Sequence, residues 1–210
     1  MKPLHAEVAR IALTLLAPDG YVLAGGYALT AQGVGSRLSE DVDLFTDADV
    51  SWRQVGHDAQ RLCGTLEAAG MKASWSLMEL GHPHHRIVVS RGTERTEMDL
   101  NWSLRTLAPS LCTVGPVLHL DDAATAKMRA MVNRHEARDY ADVHSLILYG
   151  YTRTGLIQLA RGHADFSMTS LAAALRKAAK VTPARLARYG VSPEQVAALK
   201  VEFADWSRSL

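Results

Sequence analysis

Along this chain the spacing of apolar residues alternates between two periods before settling on one. A helical pattern over residues 4–16 gives way to a short apolar strand at 21–24, a turn at Gly25-Gly26 and a helix start at 27–32. From residue 41 the period drops to two. Asp41-Val42-Asp43-Leu44-Phe45 has strand character, and residues i and i+2 of a strand leave the same face. A helix predicted over 52–69 separates this segment from a strand at 72–77. Residues 85–90 and 94–102 flank Arg91-Gly92-Thr93, the spacing of a hairpin with a glycine turn. Pro109, Gly115 and Pro116 mark a loop. Beyond it the pattern is helical, over 121–134, 137–149, 153–162, 168–179 and 193–207, with a break at Thr182-Pro183 before a further short helix. The expected class is α/β (α+β). Residues 1–115 form an N-terminal domain with a mixed sheet and flanking helices, and residues 116–210 a helical bundle, with the active site in the cleft between them.

Composition narrows the options. A hydrophobic fraction of 48% in 210 residues excludes general disorder and allows a proper core. The apolar run from Ile11 to Ala17 is too short to span a membrane and precedes no cleavage-site pattern, so a cytoplasmic protein is expected. Cys63 and Cys112 lack the close spacing of a redox pair or a zinc knuckle and read as reduced core or boundary residues. The formal net charge of +1 hides an asymmetry, because residues 151–210 hold 9 Lys+Arg against 4 Asp+Glu. Arg176, Lys177, Lys180, Arg185 and Arg188 form a basic stretch able to neutralise nucleic-acid phosphates, although a solvated helix face explains it equally well. Aromatic residues near it are few, so base stacking has little support there.

The chemistry centres on Asp41 and Asp43. Two carboxylates on one face of a half-buried strand repel each other unless cations neutralise them. Mg²⁺ suits them, since it takes a few carboxylate oxygens together with substrate phosphates. Upstream, Gly25-Gly26 between strand and helix frees backbone amides that can cradle a triphosphate. A third acid is needed to complete a two-metal site and to accept a proton. Asp99, late on the second hairpin strand between Met98 and Leu100, is the preferred residue, and Glu97 on the same face is its rival.

Three segments carry a family resemblance. Leu23-Ala24-Gly25-Gly26-Tyr27-Ala28-Leu29, then Arg37-x-Ser39-x-Asp41-Val42-Asp43-Leu44-Phe45, and later Lys127 with Arg138-Asp139-Tyr140-Ala141-Asp142 resemble the AbiEii/AbiGii-type nucleotidyltransferase toxins of the polymerase-beta-like superfamily. The resemblance implies a nucleotidyltransferase domain at 1–115, completed by the helical domain. It also implies transfer of a nucleoside monophosphate from a nucleoside triphosphate, with pyrophosphate leaving. By the same likeness the chain is expected to be the toxin of a type IV-like toxin-antitoxin system. It would use a pair of Mg²⁺ ions, modify RNA at the acceptor end of transfer RNA, block translation, and be paired with an antitoxin encoded nearby. Where the superfamily has Gly-Ser this chain has Gly25-Gly26, so backbone amides, Tyr27, Ser36 or Ser39 must replace the hydroxyl.

Residues 121–134 start with Asp121-Asp122 at the N-terminal turn and continue in good helix formers. Lys127 and Arg134, seven apart, share one face, and Asp142 lies one turn from Arg138 and Asp139 on the next helix. By charge pattern alone this is an amphipathic hairpin with an internally paired face. The resemblance instead assigns Lys127 to the triphosphate and Asp139 to the neighbourhood of the base, the sugar or that lysine. Arg37 either counters phosphate charge or pairs with Glu40 or Asp41. Ser39 faces the metal side, where a phosphoryl group would oppose triphosphate binding. His82, His84 and His85 around Pro83 read as a surface loop cluster rather than a zinc site, and the four tryptophans as packing residues. Two other functions fit the same residues: a small-molecule nucleotidyltransferase of the antibiotic-modifying kind, and a catalytically silent protein-binding domain of this fold.

Overall fold

The computed structural model describes residues 1–47, 52–77 and 83–210. The chain forms two units, one of Met1–Gln32 with Ser39–His119, the other of Gly33–Leu38 with Leu120–Leu210. Among the described residues, no helix is long and apolar enough to cross a membrane.

Among the described residues, the first unit is built on a seven-stranded mixed sheet. Its strands are β1 (Val22–Leu23), β2 (Asp41–Thr46), β3 (Lys72–Leu77), β4 (His84–Arg91), β5 (Glu94–Trp102), β6 (Ser110–Cys112) and β7 (Gly115–Val117), in the order β3-β4-β5-β2-β1-β7-β6. β2 runs parallel to β5 and antiparallel to β1, and β4 pairs antiparallel with β3 and β5. Helices α1 (Pro3–Leu16) and α3 (Gln54–Ala68) pack against the sheet and each other. Their apolar stripes, Leu4, Val8, Ala12, Leu13 and Leu16 on one and Val55, Ala59, Leu62 and Leu66 on the other, are buried. Alternation along β2 sends Val42, Leu44 and Thr46 into this core and leaves Asp41, Asp43 and Phe45 half-buried on the opposite face.

Gly115 and Pro116 lie not in a loop but in β7 of the β6–β7 hairpin, which Pro109 immediately precedes, and β7 extends the sheet by pairing in parallel with β1, Leu23 opposite Val117. Strands of three residues carry too little alternation to be seen in sequence, and Pro116 lacks the N–H of an interior strand residue. His84 and His85 lie in β4 rather than in a surface loop, His85 being buried and edge-on to Trp75, while His82 lies outside the described residues. Cys63, buried in α3, is a free thiol that burial pushes up to about 11, and Cys112 on β6 is free as well.

In the second unit the helices are α4 (Leu120–Arg134), α5 (Ala137–Tyr149), α6 (Arg153–Ala160), α7 (Met168–Lys177), α8 (Pro183–Ala187) and α9 (Pro193–Ser209). Tyr140, Phe203 and Trp206 form an aromatic core, and the Tyr140 hydroxyl donates to the Ala174 carbonyl at 2.9 Å. Four helices begin on a serine, threonine or glutamate cap, Thr152, Ser167, Ser192 and Glu136, which explains their crisp starts.

Candidate active site

Register brings the acids together. Parallel pairing of β2 with β5 sets Asp43 opposite Asp99 and Asp41 opposite Glu97, all on the sheet face turned away from α1 and α3. One carboxylate oxygen from each of Asp41, Asp43 and Asp99 lies within 4.8 Å of the others. The donors are all hard oxygens, so the set fits Mg²⁺ and offers nothing to favour a softer ion.

Gly25 explains the first motif. It opens α2 (Gly25–Ala31) with a φ of +62°, so Gly25-Gly26 is helix start rather than a preceding turn. A Cβ on Gly25 would lie 1.8 Å from Asp43 Oδ2, so only glycine lets the helix come this close to the carboxylate. The Ala24 amide donates to the Asp43 carbonyl at 2.8 Å and ties α2 to β2.

Two side chains bear on Asp99 that the sequence reading had not placed there. Arg86, directly opposite Asp99 on β4, donates Nε to Oδ1 and Nη2 to Oδ2, both at 2.7 Å, and places Nη1 2.8 Å from Glu97 Oε2. His84 Nε2 lies 3.3 Å from Asp99 Oδ1. Burial alone would raise the Asp99 pKa, but the donors on Arg86 and His84 outweigh it and hold the carboxyl below its ordinary value. Arg86 in turn stays protonated well beyond its usual range, its hydrogen bonds to Asp99 outdoing the cost of burial. A signal for this pair existed: a hairpin closing at Arg91 and Glu94 puts residue 86 opposite residue 99.

Ser39 is buried and donates to Asp41 Oδ1 at 3.3 Å. Tyr27 does not replace the missing serine hydroxyl: it is buried, with its own hydroxyl 2.8 Å from His5 Nδ1 and donating to the Ser39 carbonyl.

In the second unit the cations gather on a different acid from the one expected. Asp142, fully buried in α5, accepts Arg37 Nε and Nη2, the latter at 2.7 Å, and lies 2.9 Å from Lys127 Nζ. Burial would raise its pKa, but Lys127 and Arg37 together hold it below the usual carboxylate range. Arg37 thus pairs with neither Glu40 nor Asp41 in these contacts, and its guanidinium also lies over the Tyr189 ring at 5.4 Å. Two cations on one carboxylate leave one positive charge in excess. Asp139 is fully buried too, and its oxygens accept from Arg134 Nη2 at 2.6 Å and from the Glu136 amide in the α5 capping box. Arg176 and Lys177 at the end of α7, Lys180 in the turn that follows and Arg185 in α8 are exposed.

Residues 10–205 match the family model described as nucleotidyl transferase AbiEii toxin, type IV toxin-antitoxin system. No curated protein sequence matches. Among solved structures, the nucleotidyltransferase toxin MenT4 of Mycobacterium tuberculosis is similar at 18% identity and a TM-score of 0.64, covering 99% of this chain and 84% of its own. JHP933 of Helicobacter pylori is similar at 18% identity and a TM-score of 0.59, covering 99% of this chain and 92% of its own. A putative nucleotidyltransferase of H. pylori, also 18% identical, covers 100% and 97% with a TM-score of 0.60. At such identities these structures speak for the fold.

Proposed function

The chain belongs to the AbiEii nucleotidyltransferase toxin family of type IV toxin-antitoxin systems, and from that premise we propose that it transfers a nucleoside monophosphate from a nucleoside triphosphate to RNA, with transfer RNA as acceptor. The observation that carries the reading is the convergence of Asp41, Asp43 and Asp99 within 4.8 Å on one sheet face. Three carboxylates this close repel one another; Arg86 lies against Asp99, and a divalent cation would offset the repulsion that remains. Mg²⁺ held by these three residues would neutralise the triphosphate and stabilise charge on the attacking and leaving oxygens.

The chain's own groups account for the rest. Glycine at 25 and 26 lets the triphosphate approach the backbone. Lys127, with the excess positive charge of its cluster, and Arg134 counter phosphate charge, and Arg37 holds that cluster through Asp142. The acceptor hydroxyl oxygen bonds to the α-phosphorus, the bond to the bridging oxygen breaks, and pyrophosphate leaves. The hydroxyl proton passes to an Asp99 oxygen, with Arg86 and His84 setting that carboxylate's orientation and basicity. The exposed basic residues at 176–185 favour RNA over a small acceptor, because a polyanion alone can engage several of them at once. Modified transfer RNA blocks translation, which places the action in the cytoplasm and calls for an antitoxin to restrain it.

The test is incubation of the purified protein with total bacterial RNA, Mg²⁺ and each labelled nucleoside triphosphate in turn, beside an Asp41→Ala, Asp43→Ala variant. Label entering the transfer RNA band with one nucleotide, and absent with the variant, is expected. Label entering a small molecule or a protein instead would overturn the RNA acceptor. Absence of any transfer, with no triphosphate bound, would leave only the silent, protein-binding alternative.

A further inference from the structure

The second unit contains a cavity of about 260 Å³ whose lining includes Arg37 but none of Asp41, Asp43, Asp99, Lys127 and Asp142. One wall is a stripe along α5, Ala141, His144, Ser145 and Leu148, at the i, i+3, i+4, i+7 spacing of a single helix face. Asp139 and Asp142 lie outside that stripe. Gln195 and Leu199 of α9 form a second wall, and Arg37 with its neighbours a third. Gly35 closes the floor: with a φ of +66° its position would put a Cβ 2.7 Å from Ser145 Oγ, so the segment sits as near α5 as backbone can.

The chemistry of the walls is specific. His144 is buried, which lowers its pKa, so its ring is neutral and offers one donor and one acceptor; neither ring nitrogen has a hydrogen-bond partner among the described residues. Gln195 uses its Oε1 to cap α9 by accepting from the Ser192 amide at 2.8 Å, which leaves its Nε2 as a donor without a partner among the described residues. Ser145 donates to the Ala141 carbonyl and keeps its lone pairs. Leu148, 74% exposed at the rim, and Leu199 supply apolar surface. The single cation on these walls among the described residues, Arg37, already has its bidentate edge on Asp142 and one face over the Tyr189 ring, so that only the other face of its guanidinium is left to line the cavity. An anion therefore gains little here, and a purely aliphatic ligand would leave the polar groups unmatched. What fits is a neutral, planar, amphipathic ring with alternating donors and acceptors on its edge.

We infer that this pocket, lined by His144, Ser145, Gln195 and the face of Arg37, binds a nucleobase. The inference rests on the transferase reading and extends it, since both substrates of that reaction, the triphosphate and the RNA, carry bases. The ring lies against Arg37 and Leu199, and its edge meets the Gln195 amide, the Ser145 hydroxyl and the His144 imidazole.

The full chain, free of metal, is titrated with adenosine, guanosine, cytidine and uridine while NMR follows the His144 ring and the Leu148 and Leu199 methyl groups. At least one nucleoside is expected to shift all three signals saturably, and ribose 5-phosphate and pyrophosphate to leave them in place. Ala141→Leu, which fills the cavity with a good helix former, should weaken that binding by about tenfold or more. Gln195→Glu, which keeps the cap but removes the amide donor, should weaken it several-fold even if the first variant folds poorly. Unshifted signals with all four nucleosides, or equal affinity in both variants, would overturn the inference. In the transfer assay, a higher KM for the triphosphate in Gln195→Glu assigns the pocket to the donor's base, and a higher KM for RNA alone assigns it to an acceptor base. Transfer without nucleoside binding refutes the pocket and spares the transferase. Nucleoside binding without transfer does the reverse.

Discussion

At the scale of single residues, the strongest constraints lie where a carboxylate meets a neighbour that cannot be exchanged. Gly25→Ala would force a Cβ into Asp43 and hold alanine at a positive φ, and both effects oppose folding of the α2 start. Loss of nucleotide transfer is expected, with a stability cost of more than about 1 kcal/mol, read by chemical denaturation. Arg86 occupies both Asp99 oxygens, so a divalent cation must share that carboxylate with a guanidinium. Arg86→Gln is expected to tighten Mn²⁺ or Mg²⁺ binding about tenfold in calorimetric titration, a change of about 1.4 kcal/mol. Weaker binding would show instead that Arg86 chiefly orients Asp99 for the metal. Asp142→Asn leaves Arg37 and Lys127 buried without their shared anion and should cost about 3–5 kcal/mol. The same carboxylate makes stability pH-dependent in a definite sense. Its folded pKa lies below the unfolded one, so its contribution is full above the ordinary carboxylate value and is lost as pH falls through the lower folded value. Asp142→Asn should abolish that part of the acid dependence of Tm.

Among the elements, α3 and the β4–β5 hairpin do most to present the acids. α3, with Val55, Ala59, Leu62 and Leu66 buried, packs on β3, β4 and β5, behind the strand whose other face carries Asp99, and α1 packs on β2, which carries Asp41 and Asp43. Leu62→Ala should cost about 2–5 kcal/mol, since the residue is fully buried and the sheet cannot collapse into the space. Gly64 is the contrast within the same helix: an added Cβ meets nothing within 4 Å and its φ is not positive. Gly64→Ala is expected to raise stability by about 0.5–1 kcal/mol in the same denaturant experiment, by removing backbone freedom from the unfolded chain. The long elements were legible because apolar spacing repeats over several turns or strand residues. α1, α3, β3, β5, α4 and α5 lie within a residue or two of the expected ranges. The β6–β7 hairpin was not, since its strands are three residues each and gain their place from the partner β1.

For the molecule as a whole, charge is the property that most directly bears on the acceptor. The exposed cations Arg176, Lys177, Lys180 and Arg185 lie in the chain's basic final third, and no ion pair is formed by them among the described residues. If they neutralise RNA phosphates, replacing all four by glutamine should flatten the dependence of log affinity on log salt by about 3, at about 0.7 per contact for a single strand. An unchanged slope would mean that these residues only solvate the helix faces. Stability should barely move, because all four side chains are in water.

Sequence by itself determined the chemistry on offer, because it rests on residue type and short-range period: two acids at i and i+2 of a strand share a face wherever that strand lies, and a glycine pair permits close approach whatever approaches. It determined the family as well, through motifs that are local in the chain. Tertiary structure decided which groups meet. Arg86 reaches Asp99 only through the register of β4 on β5, and Asp43 meets Asp99 only because β2 lies parallel to β5. Asp142 rather than Asp139 gathers Lys127 and Arg37, since the rotation of α5 turns one acid to the lysine and the other to its own N-terminal cap. Such pairings depend on contacts between residues 105 positions apart, as between Arg37 and Asp142, and no local period encodes them.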